Sequence, residues 1–251
     1  MRGEADYSYL TNHVVILGWQ GRRTAKVVEE ILGDVDAETR EIVVCTTKEI
    51  ENPLPDCVKF VRDNALNTTG LHHRAGLRGA AVIIAPGHDD NDTLAAALAA
   101  SAQNREAHVV AYFEQQAFAD LLAAHCPHAE VMASLSMEML VRAAQDPGSS
   151  RVQQDLLSVV GGQTQFSLKL PAHVPATTYG ELLTQLKARH NATLIAVAED
   201  VNGTGLTLNA PVAHRVGPGA VVYYIAATRI RADELQWLRA AEGVALAPAR
   251  A

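Results

Sequence analysis

The chain has 251 residues, enough to bury one large core or two small ones, and its 48% hydrophobic and 20% charged residues are the balance of an ordinary globular protein. A formal net charge of −7 argues against a general nucleic-acid or anionic-membrane binder, because phosphate affinity rests on clustered Lys and Arg. The three cysteines, Cys45, Cys57 and Cys126, stand apart and suggest a reducing compartment, while the polar start and the lack of any run near roughly 20 apolar residues predict a soluble chain.

His13 to Leu17 is a β-branched run that predicts a strand. Gly18 allows a sharp turn, and Ala25, Val27, Val28, Ile31 and Leu32 recur at helical spacing. "REIVVCTT" (40–47) and "CVKFVRDN" (57–64) read as the second and third strands. "HRAGLRGAAVIIAPG" supplies a short helix and a fourth strand, Ala81 to Ala85, closed by Pro86-Gly87. "DTLAAALAASAQN" is an alanine-rich helix with Asp92 as its predicted cap. "AHVVAYFE", "QQAFADLLAAHC" and "AEVMAS" complete a strand, helix and strand. The alternation predicts an α/β fold, a Rossmann-like doubly wound parallel sheet over residues 12 to about 134.

"LSMEMLVRAAQD" and "SRVQQDLLSVV" then read as two helices around Pro147-Gly148-Ser149-Ser150, with Gly161-Gly162 ending the second, over 135–164. A β-α-β-β-β order follows in 165–230: "TQFSLKLP", "YGELLTQLKARH", "ATLIAVAED", a turn at Asn202-Gly203-Thr204-Gly205, "LTLN" and "AVVYYIAATR". That predicts a small α+β subdomain. "ADELQWLRAAEG" reads as an amphipathic helix within a 231–251 tail.

Catalytic signals are thin. No G-x-S-x-G elbow and no H-E-x-x-H occurs, and no Cys or Ser is visibly partnered with a His and an acid, so the chain reads as a non-enzyme. The pairs His72-His73 and His125-x-x-His128 read as surface or helix-end histidines rather than zinc ligands.

The dinucleotide fingerprint G-x-G-x-x-G is present only in outline, as Gly18-Trp19-Gln20-Gly21-Arg22-Arg23. Gln20 replaces the glycine that lets backbone approach a pyrophosphate, and Arg23 the one that packs helix on strand. The second strand ends in Thr46 and Thr47, where such sites usually carry an acid for the ribose. Arg22 and Arg23 are candidates for phosphate at the helix N-terminus, or simply solvated side chains. Asp89, Asp90, Asp92 and Glu114 fall at the carboxyl edge of the predicted sheet. They read either as oxygen ligands for a hard cation such as calcium or as caps of the alanine-rich helix.

"NHVVILGW", "VKFVRDNALNTTGLHHRAGLRGAAVIIAPGHDDND" and "AHVVAYFE", in this order and spacing, resemble the domain that regulates potassium conductance, the RCK domain, which is related to the nucleotide-binding subunits of Trk transporters. Arg62-Asp63-Asn64-Ala65 stands where the family has Gly-Asp-Ala/Pro-Thr, and Leu71 to Ala80 resembles its "L..A.v..A". "SRVQQDLLSVVGGQTQFSLKLP" resembles the linker into the family's C-terminal subdomain, and "LNAPVAHRVGPGAVVYYIA" its Pro-containing segment, with Gly219-Ala220 in place of Gly-Asp. Trp19 and the helix from Val152 to Gly161 lean toward channel-attached members, including Castor/Pollux-like channels.

The resemblance implies a ligand-sensing gating module on the cytoplasmic side of a potassium or related cation channel. The alternatives are a free-standing Trk-type regulatory subunit and, less favoured, a nucleotide-dependent oxidoreductase. It implies residues 1–11 as a tether to the pore domain of the same channel, and a homodimer through the 135–145 and 151–160 helices that builds a ring of eight. It also implies NAD or an adenine nucleotide over Gly18 to Arg23, Thr46, Thr47, Asp63 and Asn64, calcium on the acidic rim, or both.

Overall fold

The computed structural model describes residues 3–34, 40–158 and 162–238. The chain divides into two compact units, Met1–Ser150 and Arg151–Ala251.

In the first unit the elements run β1 (His13–Leu17), α1 (Arg22–Gly33), β2 (Ile42–Thr46), β3 (Lys59–Arg62), α2 (Thr69–Arg74), β4 (Ala80–Ala85), α3 (Asp90–Gln103), β5 (His108–Phe113), α4 (Gln116–His125), β6 (Glu130–Ala133) and α5 (Ser136–Gln145). All six strands are parallel, in the order β3-β2-β1-β4-β5-β6. This is the doubly wound arrangement expected from the alternation, with its switch point between β1 and β4.

Every residue of β1 and β2 is buried, the pattern of strands covered on both faces. On one face Ile83, Val109, Ala111 and Phe113 pack with Ala96, Ala97 and Ala100 of α3 and Leu122 of α4. The alanines let α3 approach the sheet closely. On the other face α1 covers Val14, Ile16 and Val44 with Val28, beside Trp19 and Phe60.

Three side chains join this unit at buried backbone. The Asn104 amide donates to the carbonyls of Leu77, Arg78 and Ala80 and accepts from the Glu106 and Ala107 N–H groups. His13, buried, donates from Nε2 to the Ala75 carbonyl at 2.9 Å, and His72, also buried, to Leu66 O at 2.8 Å. His72 therefore corrects the surface expectation, whereas His73 and His125 are exposed.

Residues before β1 form a strap. The Arg62 N–H donates to Gly3 O, Tyr7 N–H to Arg74 O, and Asn12 N–H to Gly79 O. A Cβ at Gly79 would overlap the Leu10 carbonyl, so glycine is what allows the strap to lie this close.

The second unit contains most of α6 (Ser149–Leu157), then β7 (Thr164–Lys169), β8 (Thr177–Thr178), α7 (Tyr179–His190), β9 (Thr193–Ala198), β10 (Thr207–Leu208), β11 (Arg215–Val216) and β12 (Val221–Ala226). An antiparallel sheet β10-β9-β12-β7 carries a core of Phe166, Leu182, Leu186, Val222 and Tyr224. The capping box of Thr178 and Glu181 starts α7, and Asn191 in the left-handed region ends it.

The short β8–β11 pair escaped the sequence reading, because two-residue strands have no period to detect. Ala232–Leu238 is a 3-10 helix rather than the first part of an amphipathic α-helix. Val159, Val160, Gly161 and the rest of the predicted C-terminal helix lie outside the described residues.

Burial lowers the affinity of His13 and His72 for a proton, since each ring already donates to a carbonyl and a second proton would place charge in the core. The unfolded chain takes up those protons near pH 6.5, so stability should fall as pH drops below that value. His108 acts in the opposite sense, because its bond to Glu130 raises its proton affinity. Urea titrations between pH 7.5 and 5.5 should show a shallower loss in His72→Gln, whose amide can still donate to Leu66 O. The difference should reach up to about 1.4 kcal/mol per pH unit for the proton removed; equal slopes would refute it.

Candidate functional site

The carboxyl ends of β1 and β4 meet at two turns. Gly18 has φ +141, and a Cβ there would stand 3.3 Å from Gly87 N and Cα, so the two backbones are already in contact. Gln20 closes the join, its Nε2 donating to the Pro86 and Gly87 carbonyls, while its own N–H is held by Thr24 Oγ1 at 2.9 Å. Trp19 turns inward and is buried. The glycine that would leave room for a pyrophosphate is thus replaced by an amide occupying that room.

Gly21, at φ +63, is the N-cap residue of α1, and Arg22 and Arg23 occupy its first turn, where no acid is present. Two cations at the positive end of a helix oppose its dipole, by about 0.3–1 kcal/mol each. A position chosen only for helix stability would carry the opposite charge. Both arginines are exposed, and Arg23 pairs with Glu114 at 3.6 Å.

At the end of β2, Thr46 is buried and accepts from Lys48 N–H, and Thr47 shares a 3.1 Å hydrogen bond with His88 Nε2. Asp63 accepts from Asn64 N–H, from Thr68 Oγ1 and from Arg74, which also donates to the carbonyls of Gly3 and Arg62. These donors, the Asn64 N–H foremost, hold the Asp63 carboxyl below its usual range. The Asp63 side chain therefore knits β3, α2 and the strap together, whereas Asn64 contributes its backbone N–H and is itself exposed beside a small space.

The acidic rim does not converge. Asp89, rather than the expected Asp92, caps α3, accepting from Asp92 N–H at 2.9 Å. Asp90 is buried, and its two oxygens accept from the N–H groups of Glu114 and Gln115 at 2.9 and 3.0 Å. Among the described residues no group of three or more His, Cys, Asp and Glu is placed to hold a metal ion. The proposed calcium set of Asp89, Asp90, Asp92 and Glu114 is corrected accordingly: it is not gathered around one point, both Asp90 oxygens and one of Asp89 accept backbone N–H groups, and Glu114 faces Arg23.

His128 likewise bonds Ser101, and His125 bonds Leu121 O. Burial pushes the Cys45 thiol up to about 12, leaving it inert at neutral pH.

Beside the closed turns a crevice of about 390 Å³ opens on the β4–β5–β6 side, lined by Arg23, Val27, Val110, Tyr112, Glu114 and Met132 among others. Sequence reasoning missed its apolar wall. Val110, Tyr112 and Met132 alternate along β5 and β6 as any strand face does, and nothing local shows that Tyr112 and Met132 stay exposed.

Asp90→Ala should lower unfolding free energy by about 2 kcal/mol, the cost of two orphaned N–H groups at a helix start, with or without calcium. Thermal melts with calcium and with chelator check this. A calcium-dependent stabilisation lost only in the variant would restore the cation site.

No family model matches the chain, and none of the curated proteins matches it. Solved structures do. The human SLO3 gating ring superposes with a TM-score of 0.64 at 13% identity, over 91% of this chain and 46% of its own, so the chain spans about half the length of that relative. The GsuK RCK domain aligns at TM-score 0.44 and 16% identity, over 90% of this chain and 45% of its own. The TrkA-N domain of the inner membrane protein YbaL from Escherichia coli aligns at 0.44 and 16%, over 55% of this chain and 96% of its own. With its six-stranded parallel sheet and the likeness across both units, the chain has the fold of an RCK domain.

Proposed function

We propose that the chain is a non-catalytic, ligand-sensing gating module of a potassium or related cation channel, working at the cytoplasmic face of the membrane. The observation that carries this reading is the likeness to the SLO3 gating ring over 91% of the chain. No helix among the described residues is long and apolar enough to cross a membrane, so the pore belongs to another part of the channel. The closed turns, the engaged carboxylates and the inert Cys45 offer no acid–base pair or nucleophile and favour sensing over catalysis.

Exposed apolar faces favour the same reading. No residue of α5 is buried, and Leu135, Met137, Leu140 and Val141 around it are 53–67% exposed. On α6, Val152 and Leu157 are 59% and 75% exposed. Apolar faces of this kind mark contact surfaces, and we assign them to a homodimer that builds a ring. A nucleotide, if it is the ligand, would place phosphate on Arg22 and Arg23.

Sedimentation at micromolar concentration should show dimers or larger rings. Met137→Glu with Leu140→Glu should shift them to monomer while leaving the melting temperature of the monomeric chain unchanged, because neither side chain is buried. A wild-type chain that sediments only as monomer refutes the reading.

A further inference from the structure

Two side-chain bridges partition the carboxyl edge of the sheet. Gln20 ties the first turn to Pro86 and Gly87, and Thr47 meets His88 over the end of β1. On one side lies the 390 Å³ crevice, and on the other a space of about 250 Å³ beside Thr47, Asn64 and Leu66. A dinucleotide needs the passage between such spaces, because its pyrophosphate crosses the switch point. The ligand that fits this edge as it stands is smaller and lies on one side.

The larger crevice also states the chemistry of that ligand. Its walls are apolar, with Val27 from α1, Val110 and Tyr112 from β5, and Met132 from β6. Its mouth carries two opposite charges, Arg23 and Glu114, paired at 3.6 Å with side chains 75% and 57% exposed. So exposed a pair contributes little, and each charge is free to take another partner. A lone anion would meet Glu114 and the nearby Asp89, and a lone cation would meet Arg23 at the positive end of α1. A molecule bearing both charges satisfies both groups.

We propose that this crevice binds a free apolar α-amino acid, its carboxylate on Arg23, its ammonium on Glu114, and its side chain against Val110 and Met132. The volume holds a leucine- or phenylalanine-sized ligand. The proposal names the ligand of the sensing role argued above and rests on that role only for its consequence.

Methionine-methyl NMR provides the test, because Met132 lies in the crevice whereas Met137 and Met139 lie on α5. Titration of the full chain with L-phenylalanine or L-leucine should move the Met132 signal saturably and further than those of Met137 and Met139. 3-Phenylpropanoate and 2-phenylethylamine, each lacking one charge, should bind about tenfold more weakly or worse. Arg23→Gln and Glu114→Gln should each cost about the same factor, the loss of one charge-assisted bond.

NAD should leave Met132 unmoved in the wild type and gain at least about tenfold in affinity in Gln20→Gly, which reopens the passage. The proposal falls if millimolar amino acid leaves Met132 still, if both charge variants bind as wild type does, or if NAD binds the wild type as tightly as Gln20→Gly. Failure of the gating reading is separate: a monomeric chain whose Met132 still responds keeps the site and loses the gating ring.

Discussion

The contact of the Gly18 turn with the Pro86-Gly87 turn decides what the sheet can hold. Parallel strands that wind outward from β1 and β4 in opposite senses necessarily leave a gap between their loops, and open α/β proteins bind ligands there. In this chain the gap is closed by backbone contact and then by the Gln20 amide. Closure also frees Arg23. Thr24 and Val28 do the packing of α1 on the sheet, so the position of the third fingerprint glycine can carry a solvated cation.

A second set of contacts converges on Arg74. Its guanidinium joins Gly3 O, Arg62 O and Asp63, so one side chain from the end of α2 holds the strap and the end of β3. The strap otherwise rests on backbone bonds to Arg62, Arg74 and Gly79. Force applied to it would be felt first at the edge strand β3 and at α2, both beside the smaller space at Asn64 and Leu66.

The sheet was legible because β-branched runs, Gly18, Pro86-Gly87 and the alanine-rich helix each punctuate the chain locally, and the alternation then leaves few topologies. The damaged fingerprint was legible too, since Gln20 and Arg23 stand where glycines are required. What Gln20 does was not, because its partners lie more than sixty residues away and no local pattern encodes that pairing. The acidic rim shows the same limit. Asp89, Asp90, Asp92 and Glu114 look alike in sequence, yet Asp90 is spent on two backbone N–H groups just ahead of another helix. His72 was misplaced because a helix of six residues gives too little period to separate its buried face from its exposed one.

The crevice and the exposed apolar face of α5 are neighbours along the chain, so any coupling between them would be short-ranged. Met132 lines the crevice on β6, Ser134 N–H bonds Phe113 O, and Leu135 opens the helix whose apolar side chains are unburied. A ligand packed on Met132 would therefore act on a strand end separated from α5 by two residues. Binding shifts an equilibrium only by its differential affinity for the two arrangements, so tight binding alone moves nothing. The ligand must prefer the β6 geometry that one packing of α5 imposes. The exposed Arg23–Glu114 pair suits that requirement: the two charges ride on α1 and on the residue after β5, and a bound zwitterion would clamp them at one spacing while its side chain met β6.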